Sequence, residues 1–168
     1  INDALVIKVF VSILGEAGIK DLELKINSIG DKDCRPNYRR ELVNYYRKRA
    51  KEICADCRDR LKDNPLRLLD CKNPKCQILK TEAPSVISYL CTPCKQHFKE
   101  VLECLEAMNI TYTINNNLVR GLDYYSRTVF EVSLPGGTDE TETPGFALAG
   151  GGRYDYLARA LGSKKMTP

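Results

Sequence analysis

The sequence predicts an α+β fold: part of an antiparallel sheet with flanking helices, carrying an inserted, mostly helical lobe. Three observations predict it. Apolar residues recur at spacings of three and four in Leu5–Leu14, Leu42–Leu61 and Phe98–Met108. Apolar and polar residues alternate in Leu22–Ile26 and Tyr124–Leu134. Prolines and cysteines crowd into the stretch between the second and third helical patterns.

The first helix is capped by Asn2 or Asp3, turns Leu5, Val6, Val9, Phe10, Ile13 and Leu14 to one face, and ends at Gly15 and Gly18. Leu22, Leu24 and Ile26 then form a half-buried strand that stops at Asn27-Ser28-Ile29-Gly30. A single long helix is expected from Asn37 to Lys62, with the stripe Leu42, Tyr46, Ala50, Ile53, Cys57 and Leu61 inward. Asn64-Pro65 ends it, because the residue before proline is biased away from helix. Residues 65–94, with four prolines and four cysteines, read as irregular. Lys95–Met108 follow as a helix with Phe98, Leu102, Leu105 and Met108 inward. Strands are expected at Thr111–Ile114, Tyr124–Leu134 and Phe146–Ala149, the last running into Gly150-Gly151-Gly152. A loop is expected over Pro135-Gly136-Gly137 and the acidic run Asp139–Glu142, and Asp155 is expected to cap a short last helix. The organisation is therefore a first core segment (1–34), an inserted lobe (35–109) and a second core segment (110–168).

With 43% hydrophobic and 29% charged residues the composition is globular. No apolar run reaches the roughly 18 residues a membrane span needs, and no secretory leader is visible at the start. The chain opens without Met and reads as a piece of something longer. Charge is unevenly spread: residues 35–62 hold ten Lys or Arg against four acids, whereas residues 1–34 hold four against six. That excess points to an anionic partner for the long helix, with Arg47, Lys48 and Lys51 as candidate phosphate contacts.

Six of the eight cysteines fall between Cys54 and Cys94 in close pairs, which points to reduced thiols or metal and to the cytoplasm. Cys71/Cys76 and Cys91/Cys94 enclose prolines in turns that can present two sulfurs to one zinc ion, so these four form the candidate site. Cys54 and Cys57 read as small buried residues of the long helix, Cys34 and Cys104 as structural, and His97 as a helix-surface residue.

Two motifs carry chemistry. Leu118-Val119-Arg120-Gly121-Leu122-Asp123-Tyr124-Tyr125-Ser126-Arg127-Thr128 places an arginine, able to grip phosphate or carboxylate in two-point fashion, before paired tyrosines on a strand. Ala149-Gly150-Gly151-Gly152-Arg153-Tyr154-Asp155 lets a ligand approach the backbone closely. Together, in this order, they resemble the two histidine-specific signatures of histidyl-tRNA synthetases. Asn64-Pro65-Leu66-Arg67-Leu68-Leu69-Asp70 and Ala83-Pro84-Ser85 resemble bacterial members. Ser126, where many members carry asparagine or threonine, and Tyr156, where the second motif usually continues with glycine, depart from the pattern.

The resemblance implies a class II synthetase sheet and an insertion domain, ATP-dependent activation of histidine with Mg2+, and transfer to tRNA(His) by a homodimer. It places Arg120 against the ATP α-phosphate as the catalytic residue. Tyr124, Tyr125, Gly151, Gly152, Arg153 and Tyr154 would form the histidine pocket, with Asp123 orienting Arg120 or a turn. The class II motifs 1, 2 and 3 are not found within the chain, so the piece alone is expected to be inactive. Two other readings fit parts of the sequence. One is a histidine-sensing regulatory subunit of ATP phosphoribosyltransferase, which would not need Arg120. The other is a free-standing zinc-ribbon nucleic-acid module, which would leave the β segment unexplained.

Overall fold

A computed structural model describes residues 1–121, 124–135 and 147–164. Four strands form one mixed sheet in the order β2-β1-β3-β4: β1 (Glu23–Ser28), β2 (Thr113–Ile114), β3 (Ser126–Ser133) and β4 (Ala147–Arg153). β1 runs parallel to β2 and antiparallel to β3, and β3 is antiparallel to β4. The sheet is therefore antiparallel apart from one short edge pairing. Leu24, Ile26, Phe130 and Val132 point to one face, where α1 (Asn2–Glu16) and α5 (Thr92–Ala107) cover them with Ala4, Ile7, Phe98, Val101 and Leu105. Period-two alternation turns Lys25, Val129 and Glu131 to the opposite face.

The lobe between β1 and α5 holds α2 (Arg35–Lys48), α3 (Ala55–Asp63), a 3₁₀ turn at Pro65–Leu68, α4 (Pro74–Lys80) and a second 3₁₀ turn at Val86–Tyr89. Its own core is Tyr38, Leu42, Tyr46, Ile53, Leu68, Leu69, Leu79, Val86 and six buried or half-buried cysteines between Cys54 and Cys94, joined by Cys34. α5 serves both: Cys94 in its first turn joins the lobe core, while Phe98, Val101 and Leu105 pack on the sheet with α1. No helix among the described residues is long and apolar enough to cross a membrane.

Several expectations are corrected. The single helix Asn37–Lys62 is two, because α2 ends at Lys48 and Cys54, in an extended conformation, starts α3. No proline or glycine marks the break. The turn between the two helices lets Ile53 and Cys57 enter the lobe core beside α4. α1 has two apolar faces: Ala4 and Ile7 are buried, while Leu5, Val6, Val9 and Ile13 of the expected inward stripe are about half exposed, at 49–58%. Residues 65–94 are not irregular throughout, since α4 and both 3₁₀ turns lie there. The expected turn at Asn27 is strand, and the chain bends at Gly30, whose φ of +67° and 2.6 Å from a built Cβ to Cys34 Sγ leave room for glycine only. The three glycines at 150–152 lie within β4 rather than after it. Asp155 caps nothing, and a short α6 spans Leu157–Ala160. The Asp139–Glu142 loop lies outside the described residues.

Candidate functional site

Arg120 sits midway along the segment that leads from β2 to β3. The buried side chain of Asn27 fixes this approach: its Nδ2 donates to the carbonyls of Leu118 (3.0 Å) and Asn116 (3.3 Å). Arg120 Nη1 lies 3.5 Å from Glu131 Oε2 on the face of the sheet away from α1 and α5. The guanidinium rests against Gly150, where a Cβ would stand 2.5 Å from Nη1 and 2.8 Å from Nη2. Glycine at this strand position gives the arginine its seat. The neighbouring glycines serve different contacts: a Cβ at Gly151 would meet the Phe130 ring at 3.0 Å, and one at Gly152 would meet the Thr128 carbonyl oxygen at 2.5 Å.

The segment between Arg120 and β3 is held from below. Arg35 donates to the carbonyls of Ile29, Gly30 and Tyr125, tying the turn after β1 to the second motif tyrosine. Arg127 adopts φ 52° where β3 bulges against β4 between Ser126 and Val129. The rings of Tyr124 and Tyr125 stack with centroids 5.1 Å apart, and Tyr154 meets both edge-on at 5.9 and 6.0 Å. The two motifs thus converge physically at one end of β3 and β4.

They do not converge on a single cavity. A cavity of about 240 Å³ lies between α1 and the sheet, lined by Asp3, Val6, Thr128, Gly152, Arg153 and Tyr154 among others. It is smaller than the roughly 300–1,000 Å³ of pockets for drug-sized ligands. Arg153 is held there by Asp155 Oδ1 (2.7 Å from Nε) and Asp3 Oδ1 (3.2 Å from Nη1). Asp155 in turn accepts from Ser126 Oγ at 2.8 Å. Burial works against ionisation of Asp3, yet contacts with His97 and Thr128 and the Arg153 charge outweigh it and hold the carboxyl at about 2. Arg120, by contrast, belongs to the opposite face. A second cavity of about 340 Å³ opens there between sheet and lobe, lined by Glu131, Asn115, Asn117, Asp70, Lys72 and Gln77 among others.

Among the candidate phosphate contacts, Arg47, Lys48 and Lys51 are all exposed, but they do not share a face. Arg47 lines a groove between α2 and α3 with Arg39, Arg58 and Lys62. Lys48 lies in another depression with Glu41, Arg49 and Glu82. Lys51 falls in the turn between the helices.

The cysteines regroup. Cys71, Cys76, Cys91 and Cys94 do not surround one point. Cys71 and Cys76 gather with Cys54 and Cys57, and Cys91 and Cys94 with Asp31 and Cys34, each set with its ligand atoms within 4.8 Å of one another. The reason is the break after α2, which brings Cys54 and Cys57 against α4 and removes them from the helix wall where the sequence reading placed them. Cys34 is therefore partnered, while Cys104 packs in the α1–α5 core. Burial works against ionisation of Asp31, but hydrogen bonds, first that of Cys94, hold its carboxyl at about 2.

Sequence reasoning missed Glu131, Asp3, Asn27 and the His97–Asp3 contact of 3.3 Å. A glutamate inside the apolar run Val129-Phe130-Glu131-Val132 was the available signal for one of them. Asp123 lies outside the described residues.

The family described as histidyl-tRNA synthetase matches residues 2–167. The histidine–tRNA ligase of Moorella thermoacetica is 44% identical over 164 residues, covering 98% of this chain and 38% of its own. That of Aquifex aeolicus is 46% identical over 160 residues, covering 95% of this chain and 38% of its own. The apo histidyl-tRNA synthetase structure from S. aureus superposes with TM-score 0.69 at 34% identity, covering 95% of this chain and 37% of that one. A Bacillus halodurans protein titled ATP phosphoribosyltransferase regulatory subunit/histidyl-tRNA synthetase shares the fold at TM-score 0.51 and 21% identity. The chain spans less than two fifths of the length of the curated relatives it matches. With a family match over nearly its whole length, it belongs to the histidyl-tRNA synthetase family.

Proposed function

We propose that this chain supplies the histidine-recognising part of a histidine–tRNA ligase, which activates histidine with ATP and Mg2+ and transfers it to tRNA(His). The observation that carries this reading is Arg120, seated on Gly150 and facing Glu131 on the sheet face that α1 and α5 leave open. A guanidinium fixed there before reaction is suited to stabilise negative charge as it develops on a phosphate, without reorganising. Tyr124, Tyr125 and Tyr154 form an aromatic cluster where the two motifs meet, and Gly151, Gly152 and Arg153 belong to the strand that leads into it. A pocket that hydrogen-bonds both ring nitrogens of histidine rejects side chains lacking them, because its own polar groups would stay unpaired.

The inserted lobe, residues 35–109 in the sequence reading, is the proposed tRNA-contacting part, through Arg47 and Lys51 with Arg39 and Arg58 beside Arg47. The whole enzyme works as a homodimer in the cytoplasm, and the ATP-binding motifs come from outside this chain, so residues 1–168 alone do not adenylate histidine. The regulatory-subunit reading leaves the seat built for Arg120 without a purpose. The test is histidine-dependent ATP–pyrophosphate exchange by the full-length protein, with Arg120→Ala alongside. Exchange that falls by about 10²–10³-fold in the variant supports the assignment. No exchange in the parent, or full exchange in the variant, overturns it.

A further inference from the structure

We infer that Cys54, Cys57, Cys71 and Cys76 bind one zinc ion that holds the inserted lobe together. The four Sγ atoms lie within 4.8 Å of one another, and Cys54 Sγ stands 3.8 Å from Cys71 Sγ. Tetrahedral zinc with Zn–S bonds of about 2.3 Å sets its sulfurs about 3.8 Å apart, so that pair already has the spacing of two ligands of one ion. A disulfide needs about 2.05 Å, and all four cysteines are free.

The chain around them is shaped to present sulfur. Cys54 is the residue before α3 and Cys57 lies one turn inside it. Cys71 precedes the Lys72-Asn73-Pro74 turn, and Cys76 lies in the first turn of α4. Backbone N–H groups point at two of the sulfurs: that of Cys54 donates to Cys76 Sγ (3.3 Å) and that of Asn73 to Cys71 Sγ (3.5 Å). Such contacts neutralise thiolate charge and fix ligand orientation around a metal. Four thiolates on one Zn2+ leave two net negative charges, and Arg58, Lys72 and Lys75 adjoin the ligands in the chain.

The lobe also has reason to need a clip. α3 has nine residues and α4 seven, well below the roughly 12–15 at which an isolated helix becomes even marginal. The second cluster is built differently. There Asp31 Oδ1 accepts the N–H of Asp33 (3.0 Å) and of Cys34 (3.4 Å), and Oδ2 faces Arg127 at 3.5 Å. Its carboxylate is already committed to closing the turn after β1, so the four-sulfur group is the site for zinc. The consequence reaches the sheet, because Lys72, between two ligands, lines the cavity that contains Glu131.

The experiment is metal analysis of the full chain and of the full-length protein purified from zinc-supplemented medium, followed by replacement with Co2+. The expected result is one zinc per chain and, with cobalt, the intense red-region d–d bands and sulfur-to-cobalt charge-transfer bands of a tetrahedral four-thiolate site. Cys57→Ser and Cys71→Ser are expected to lose the ion, while Cys91→Ser, Cys94→Ser and Cys104→Ser keep it. Should the serine variants fail to fold, Cys71→His keeps a three-sulfur, one-nitrogen site and shifts the cobalt bands. Absence of zinc together with absence of a four-thiolate cobalt spectrum overturns the inference. So does loss of the ion on substituting Cys91 or Cys94, or a disulfide among the four cysteines.

Discussion

Arg120 and Glu131 face each other at 3.5 Å across the open side of the sheet, with the arginine seated where Gly150 has no side chain. Gly150→Ala tests whether that seat matters to the chemistry. The three atoms nearest the new methyl all belong to the far end of a flexible side chain, so the guanidinium swings away and the fold loses less than about 1 kcal/mol. If Arg120 stabilises the transition state, histidine-dependent pyrophosphate exchange by the full-length protein falls by about 10²-fold, with Tm nearly unchanged. Wild-type exchange in this variant would remove the seat, and the role built on it.

Gly152→Ala is expected to behave in the opposite way. Its methyl would stand 2.5 Å from the Thr128 carbonyl oxygen and 3.1 Å from Val129 Cα, both backbone atoms of the paired strand. The β3–β4 ladder must shift, at a cost of about 1–3 kcal/mol, read as a lower urea midpoint with an unchanged slope. Gly15→Ala is the internal comparison. It lies within α1 with nothing inside 4 Å of a built Cβ, so it should stabilise the fold by about 0.5–1 kcal/mol.

The contrast between these glycines shows what the sequence carried. The strands at 22–26 and 124–134 were legible because alternation reports directly which face is covered, and the two motifs were legible because their residues are local. The break after Lys48 was not, since residues 49–54 contain neither glycine nor proline and the turn forms only because Ile53 and Cys57 gain a core with α4. The cysteine grouping followed that break and was lost with it. Asp3 could be read as a cap, but its partner Arg153 is 150 residues away, and no periodicity reports such a pairing. The exposed side of α1 was hidden for another reason: a helix with two apolar faces does not say which of them this chain covers.

The Asp3 carboxylate supplies a pH-dependent stability. Its folded pKa of about 2 lies below its ordinary value of 3.8. Its contribution is therefore fully present above about pH 4 and disappears as pH falls through 2. Asp3→Asn should cost about 1–2 kcal/mol near neutral pH, because the amide keeps an acceptor oxygen but leaves the Arg153 guanidinium without its negative partner. Denaturant titrations of parent and variant should converge toward pH 2. A gap that persists at that pH would mean that Asp3 acts by packing instead of charge.

The basic groove between α2 and α3 makes the last prediction, and the geometry separates residues that the sequence grouped. Arg47 shares the groove with Arg39, Arg58 and Lys62, whereas Lys48 lies with Glu41 and Glu82 on another part of α2. Each phosphate neutralised by the protein adds about 0.7–0.9 to the slope of log affinity against log salt. Arg47→Ala and Arg58→Ala in the full-length protein should each lower the slope for tRNA(His) by about 1 and weaken binding at low salt. Lys48→Ala should leave the slope unchanged, because its position beside two carboxylates repels a phosphate backbone as much as it attracts one. Equal losses at Lys48 and Arg47 would point to a diffuse field over the lobe. No loss at Arg47 or Arg58 would take the groove out of tRNA contact altogether.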